Sequence, residues 1–345
     1  MISCAANPPL ASCSHHGTVV TRSVHPAATA EHLADQLDLA LRPQRRLRSK
    51  VGSQPVELDA VIRRVDHPHL AQLTKICRKV NDTYSIGNVL RPAFLSLPER
   101  SSKPRDVGLT HVLDKGQAVQ STQSVLAACA PLIDVWKFGW GTAYIDRALT
   151  EKLALLRSAD IRTCLGGTLL EISWAQGKAQ ECFDWAAEVG FDAIEVSRGV
   201  APMTVSDKRE LLGRANESFE VLSEVGSKDP HEVLSPDEWT SEVAGDLAAG
   251  ARWVITEGRE SGTVGIYRED GSIREDVVAA AVRGGGIDRI LFEAPRKDQQ
   301  AWLIRTFGPD VNLANIACNE VLALETLRLG LRADTCDVAR TWQLT

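Results

Sequence analysis

From residue 109 to residue 313 the chain repeats one pattern: a short apolar run, a cluster of charged or small residues, then a stretch with helical spacing. The runs are 109–113, 132–136, 162–165, 193–196, 220–223, 252–256, 289–292 and 311–313, and every one but the last is followed by a plausible helix before the next begins. The first two helices are expected at 119–129 and 147–158. Short apolar strands alternating with helices predict βαβ units on a parallel sheet. Eight such units favour closure into a barrel over an open doubly wound sheet, and no GxGxxG follows the first strand to suggest a dinucleotide site. The expected class is therefore α/β, a (β/α)8 TIM barrel with an N-terminal extension. At 345 residues the chain is long enough for a barrel of residues 101–336 preceded by an extension of residues 1–100.

In such a barrel the C-terminal end of every strand faces one mouth, where active sites sit. The strand-end clusters would pool Asp114, Lys115, Lys137, Glu171, Glu195, Glu224, Lys228, Glu257, Arg259, Glu260 and Glu293, with Thr142, Thr168, Ser197 and Asn315 as small polar groups. The densest cluster is EGRESG, residues 257–262, directly after the run 252–256, where glycines would let the backbone approach a ligand. Gathering several carboxylates beside several cations is costly unless a divalent metal and an anionic substrate share the site. Oxygen ligands without a His or Cys set point to Mg²⁺ or Mn²⁺ rather than Zn²⁺, and the cations suit phosphate, carboxylate or sulfonate oxygens. Lys115, Lys137 and Glu195 also admit a simpler reading as ion pairs across the mouth. His111, inside the first run, is expected to be a barrel-interior histidine, and the tryptophans are expected to pack.

Other classes fit less well. A net charge of −6, with 44% apolar and 24% charged residues, describes an acidic protein without the basic face that nucleic acid requires. No window approaches the roughly 18 consecutive apolar residues of a membrane span. The N-terminus lacks both the basic start and the apolar core of a secretory signal, so a cytoplasmic protein is expected. Eight cysteines are scattered without a CxxC pair, which supports neither a zinc site nor a disulfide framework, and reduced thiols follow. Residues 1–30, rich in Ala, Ser, Pro and His, read as disordered; 30–41 read as helical, the basic run 42–50 as a solvated linker, and 51–90 as one or two helices without an assigned role.

Eight collinear motifs carry a resemblance. KPRDVGLTHVLDKG (103–116), KFGWGT (137–142), GGTLLE (166–171), GFDAIEVS (190–197), EVGSKDP (224–230), EGRESGTVGIY (257–267), FEAPRKDQQ (292–300) and NLANIACNEVLALETLRLGLRADT (312–335) together resemble the phosphosulfolactate synthase family, in the family's order and spacing. The resemblance implies a (β/α)8 enzyme that uses Mg²⁺ to add sulfite to phosphoenolpyruvate, giving 2-phospho-3-sulfolactate, an early step toward coenzyme M. It implies catalytic roles for Lys228, as general acid, and for Lys137 and Glu195. Lys115, Thr142, Thr168, Ser197, Arg259 and Asn315 would bind substrate, and Glu224, Glu257 and Glu293 would face the metal. The implied partners are small anions, with a homo-oligomer left open.

One departure stands out. After the fourth run the family usually reads Glu-Val/Ile-Ser-Asp-Gly, where this chain has Glu195-Val196-Ser197-Arg198-Gly199, placing a cation where a carboxylate is expected. Arg198 motivates an alternative, a related barrel enzyme acting on another phosphorylated or sulfonated carboxylic acid. The extension motivates a second alternative, a non-catalytic protein like the plant heat-stress-associated relatives of this family.

Overall fold

The computed structural model describes residues 95–229 and 233–338, and the readings made for residues 1–94 lie outside them. Eight parallel strands close into a barrel in sequence order, β1 pairing with both β2 and β8. The strands are β1 (Thr110–Asp114), β2 (Val135–Phe138), β3 (Arg162–Leu165), β4 (Ala193–Val196), β5 (Glu220–Val225), β6 (Trp253–Thr256), β7 (Ile290–Glu293) and β8 (Leu313–Ala317). The helices in chain order are α1 (Val119–Cys129), α2 (Thr142–Ile145), α3 (Leu149–Ser158), α4 (Gly167–Ala175), α5 (Ala179–Val189), α6 (Val205–Ala215), α7 (Pro236–Ala248), α8 (Glu275–Gly285), α9 (Lys297–Phe307) and α10 (Val321–Arg328).

Six of the eight strands differ from the expected runs, and two of them, β2 and β8, by three residues or more at one end. β2 begins at Val135 rather than residue 132, because Ala130–Leu132, with Pro131 inside it, forms a 3-10 turn before the strand. β8 runs Leu313–Ala317, past the apolar run 311–313, and takes Asn315 into the strand. Asn312 sits just before it, where its side chain accepts from the amide of Leu109 at 3.0 Å and donates to the carbonyls of Asp288 and Ile290. Neighbouring main chains thus satisfy Asn312 before the strand begins, whereas Asn315 within it donates its side-chain amide to Glu293.

The period-two alternation of a strand sorts the side chains into two compartments. One parity packs against the helices, as Val112, Trp136, Phe138, Ile194, Val196, Val254 and Phe292 do in the large outer core. The other fills the barrel: Leu109, Val135, Cys164, Ala193, Leu222, Trp253, Ile255, Leu291 and Ala314 form a separate inner core. Two residues further along four of these strands, the same inward parity reaches Lys137, Glu195, Glu224 and Glu293, and the step after Ile255 reaches Glu257. The inner core is thus apolar through most of its depth and charged at its top.

At the opposite end Asp134 accepts from Arg105 Nε and from the amide of Thr110, both at 2.8 Å. Arg328, fully buried, donates to the carbonyls of Pro309, Val311 and Leu109. These contacts seal the N-terminal end of the strands, the end that carries stability in this architecture.

Candidate active site

A cavity of about 340 Å³ opens at the C-terminal mouth, lined among others by Lys137, Gly167, Thr168, Glu195, Glu224, Lys228, Glu257, Arg259, Glu293 and Asn315. Nine of the twelve site residues expected from sequence are in that lining. Lys115, Thr142 and Ser197 are not. Lys115 stands on the rim, about half exposed, 3.5 Å from Glu260 and above the Trp140 ring. Thr142 opens α2 and donates to the Gly139 carbonyl at 2.8 Å. Ser197 is buried beneath Gly167, where its hydroxyl donates to Glu171.

The buried charges form two linked groups. Lys137 on β2 donates to Glu195 Oε2 at 2.8 Å and lies 3.8 Å from Glu293 Oε1. The other oxygen of Glu195 accepts from the Gly167 amide at 3.0 Å, fixing the start of α4. Lys228, on the loop after β5, lies 2.8 Å from Glu224 and 3.8 Å from both Glu171 and Glu257. Glu171, reaching in from α4, also accepts from the amides of Val200 at 2.6 Å and Ala201 at 3.0 Å, and so holds the loop after β4.

Five carboxylates (Glu171, Glu195, Glu224, Glu257, Glu293) therefore face two ammonium groups, Lys137 and Lys228. Burial acts against the charge of Lys228, but Glu224, Glu257 and Glu171 outweigh it and hold its pKa above the ordinary lysine value. Lys137 is held up in the same way by Glu195, Glu293 and Glu224. Burial likewise opposes ionisation of Glu224, yet Lys228 and Lys137 bring its pKa down to about 2. Glu257 goes the other way: burial first, then the charges of Glu224 and Glu293, push it well above the carboxylate range. Burial also raises Glu293, to about 7, against the pull of Lys137 and with the help of Glu224 and Glu195. The same buried charges thus push Glu224 toward its ionised form and Glu257 and Glu293 toward their protonated forms.

The EGRESG loop is built by the fold rather than opened toward a ligand. Gly265, at φ +63°, comes so close to the Glu257 carbonyl that a Cβ there would overlap it. The Gly258 amide donates to Glu293 Oε2 at 2.8 Å, and the Tyr267 hydroxyl donates to the Glu293 carbonyl. Arg259 stands at φ +52° with its amide donating to Glu257 Oε1 at 2.7 Å. Trp140, at φ +55°, and Asn315, also at +55°, share this left-handed conformation, so three of the four such non-glycine residues among the described ones line the cavity. Backbone strain of this kind collects at functional sites.

Among the described residues no three His, Cys, Asp or Glu side chains already stand in a metal cage. The donor set nevertheless suits a hard cation. Glu257 Oε2 is buried without a hydrogen-bond partner, and burial, followed by neighbouring carboxylates, raises the pKa values of both Glu257 and Glu293. Mg²⁺ typically takes one or two carboxylates and completes its shell with water and substrate oxygens, so it requires no preformed cage.

The remaining residues weighed from sequence lie elsewhere. Asp114 has the outward parity of β1, where it pairs with Lys152 at 2.7 Å and accepts from Trp136 Nε1 at 3.0 Å. His111 points into the barrel, accepting the Asn315 amide at 3.4 Å, and burial followed by the charge of Lys137 keeps its pKa well below the usual histidine value. Arg198 is absent from the cavity lining; its guanidinium pairs with Glu242 on α7, with Nη2 at 3.1 Å. The Lys208, Glu242 and Asp246 cluster behind β5 was not found from sequence, since its members sit mid-helix and far apart in the chain.

Residues 98–334 match the family model described as (2R)-phospho-3-sulfolactate synthase (ComA). The phosphosulfolactate synthase of Methanothermobacter thermautotrophicus is 45% identical over 244 residues, covering 69% of this chain and 95% of that protein. The Bacillus subtilis phosphosulfolactate synthase is 42% identical over 247 residues, covering 70% and 97%. The protein HEAT-STRESS-ASSOCIATED 32 of Arabidopsis thaliana is 22% identical over 269 residues, covering 68% and 91%. With a family model matching most of its length and two synthases above 40% identity, the chain belongs to the phosphosulfolactate synthase family of enzymes.

Proposed function

We propose that the barrel mouth catalyses Mg²⁺-dependent addition of sulfite to phosphoenolpyruvate, forming 2-phospho-3-sulfolactate. The observation that carries the reading is the Lys228–Glu224 pair in a cavity whose other buried charges, Lys137, Glu195, Glu257 and Glu293, all come from strand C-termini. In the reaction, sulfur donates an electron pair to the methylene carbon of phosphoenolpyruvate and a carbon–sulfur bond forms. The carbon–carbon π pair moves to the adjacent carbon and is delocalised into the carboxylate. A proton then reaches that carbon, and no group leaves. Mg²⁺, when bound, would neutralise charge that grows on the carboxylate, and Glu224, Glu257 and Glu293 are the residues that would hold it.

The chain's own groups supply the rest. Lys228 is the proton donor of this reading: it is charged, lines the cavity and is about one-fifth exposed. Its raised pKa makes it reluctant while it sits on Glu224, so donation requires that pair to loosen, and a cation held by Glu224 would loosen it by taking over that carboxylate. Lys137 and Arg259 place positive charge on two sides of the cavity, suited to phosphate and sulfite oxygens. Glu195 holds Lys137 in place, and the Gly167 and Thr168 end of α4 adds main-chain polarity toward an anion. The pairing of Arg198 with Glu242, away from the cavity, supports retention of the family's chemistry despite the altered residue. Incubation of purified protein with phosphoenolpyruvate, sulfite and Mg²⁺, followed by mass spectrometry, tests the reading. The sulfonated product is expected, and unchanged phosphoenolpyruvate would refute it.

A further inference from the structure

Arg198 sits on the loop after β4, between Ser197, which is buried on Glu171, and Gly199. Gly199 lies so close to the Lys228 side chain that a Cβ on it would overlap Lys228 Cδ. The main chain of this loop is therefore the wall against which the aliphatic stem of Lys228 rests. On its inner side the loop is held by Glu171, through the amides of Val200 and Ala201. On its outer side it is held by Arg198, whose Nε and Nη2 donate to the two oxygens of Glu242 on α7 at 3.3 and 3.1 Å.

Glu242 has a second partner. Its Oε1 accepts from Lys208 at 3.2 Å, and the Lys208 ammonium also lies 2.6 Å from Asp246 and donates to the main-chain carbonyl of Glu224 at 2.6 Å. Asp246 in turn accepts from the Ser223 hydroxyl at 2.6 Å. One carboxylate thus joins the loop that backs Lys228 to the ammonium that holds the main chain of Glu224, and these are the two partners of the pair in the cavity.

We propose that Arg198 is a positioning residue: through Glu242 it locks the loop after β4 to α7, keeping Gly199 against the Lys228 stem and the Lys228 ammonium on Glu224. The role in turnover rests on the reading of Lys228 as proton donor, whereas the packing role does not. The bidentate geometry matters because a planar guanidinium held at two points fixes the loop's orientation as well as its distance. Loss of Arg198 leaves Glu242 paired with Lys208 and the loop tied to Glu171, so the barrel is expected to fold without it.

The test compares wild type with Arg198→Ala, Arg198→Gln and Arg198→Lys, each checked for folding by circular dichroism. Lysine acetylation by acetic anhydride, followed residue by residue by mass spectrometry, reads the packing of Lys228 whether or not the protein has turnover. Acetylation of Lys228 is expected to rise at least about threefold in the Ala and Gln variants as its stem loses its backing, while exposed Lys178 is unchanged. Arg198→Lys, which can make one hydrogen bond to Glu242, restores part of the protection. In the turnover assay the Ala and Gln variants are expected to lose about tenfold or more in kcat with KM for phosphoenolpyruvate nearly unchanged. Unchanged Lys228 labelling in folded Arg198→Ala protein overturns the proposal, as does wild-type kcat. A wild-type protein without sulfite addition contradicts the assigned reaction instead, and the labelling result still decides the positioning role.

Discussion

The ammonium of Lys228 lies 2.8 Å from the carboxylate of Glu224, four residues earlier, one on the loop after β5 and the other on the strand itself. Against burial, Lys228 brings the pKa of Glu224 down to about 2, and the charge of Glu224 adds to burial in raising Glu257 and Glu293.

Replacing Lys228 by Ala removes the proposed proton donor and is expected to lower kcat by about a hundredfold or more, in the range of general acid loss. The side chain is partly exposed and no structural helix depends on it, so the circular dichroism spectrum is expected to be that of wild type. Near-normal turnover in the variant would remove Lys228 from that role.

The protonation of Glu293 makes stability fall with rising pH. Its folded pKa, about 7, stands above the ordinary 4.5, so the native state binds more protons between those values. Its favourable contribution is complete below about pH 4.5 and is lost as pH rises through 7, a change of at most about 3 kcal/mol. Glu224, at about 2, acts in the opposite sense: its contribution is present above 4.5 and is lost as pH falls toward 2. Urea unfolding with chelator present, at pH 5 and pH 7.5, is expected to show a smaller stability loss for Glu293→Gln than for wild type. Equal losses would contradict the assignment.

Added Mg²⁺ is expected to stabilise the chelated protein, since it supplies positive charge to a site with five carboxylates and two ammonium groups. At saturating concentration the melting temperature should rise by about 5 °C or more. Glu257→Gln, which loses as a carboxylate the buried oxygen without a hydrogen bond, should abolish most of that shift. A full shift in the variant would place the ion elsewhere.

The sealed end of the barrel should separate stability from activity. Asp134→Ala leaves Arg105 and the Thr110 amide without their shared carboxylate and is expected to cost about 3 to 5 kcal/mol in urea unfolding. The kcat per folded molecule should be unaltered, and a large fall in it would mean that the two ends of the barrel are coupled.

Much of this arrangement was legible in the sequence for a simple reason. Apolar runs with abrupt charged ends describe barrel strands, and β3 and β4 fall at the expected residues. The apolar rule failed where a polar residue belongs to a strand: Asn315 lies within β8, and Lys137, Glu224 and Glu293 are strand residues rather than loop residues. Parity explains another difference, since Asp114 ends β1 on its outward side, against Lys152 and Trp136. The role of Arg198 could not be read from its own motif because its partner, Glu242, lies 44 residues away in mid-helix. The same distance hid Lys208, a buried lysine whose ordinary helical setting carries no signal of its contact with Glu224.

The most direct test of the central claim is the reaction run in deuterium oxide, followed by phosphorus and proton NMR. Phosphoenolpyruvate, sulfite and Mg²⁺ with the wild-type protein should give a new phosphate ester with a single deuterium at the carbon bearing the phosphate, none at the methylene carbon, and no free phosphate. An unchanged phosphoenolpyruvate signal, or release of inorganic phosphate in place of the ester, would contradict the account.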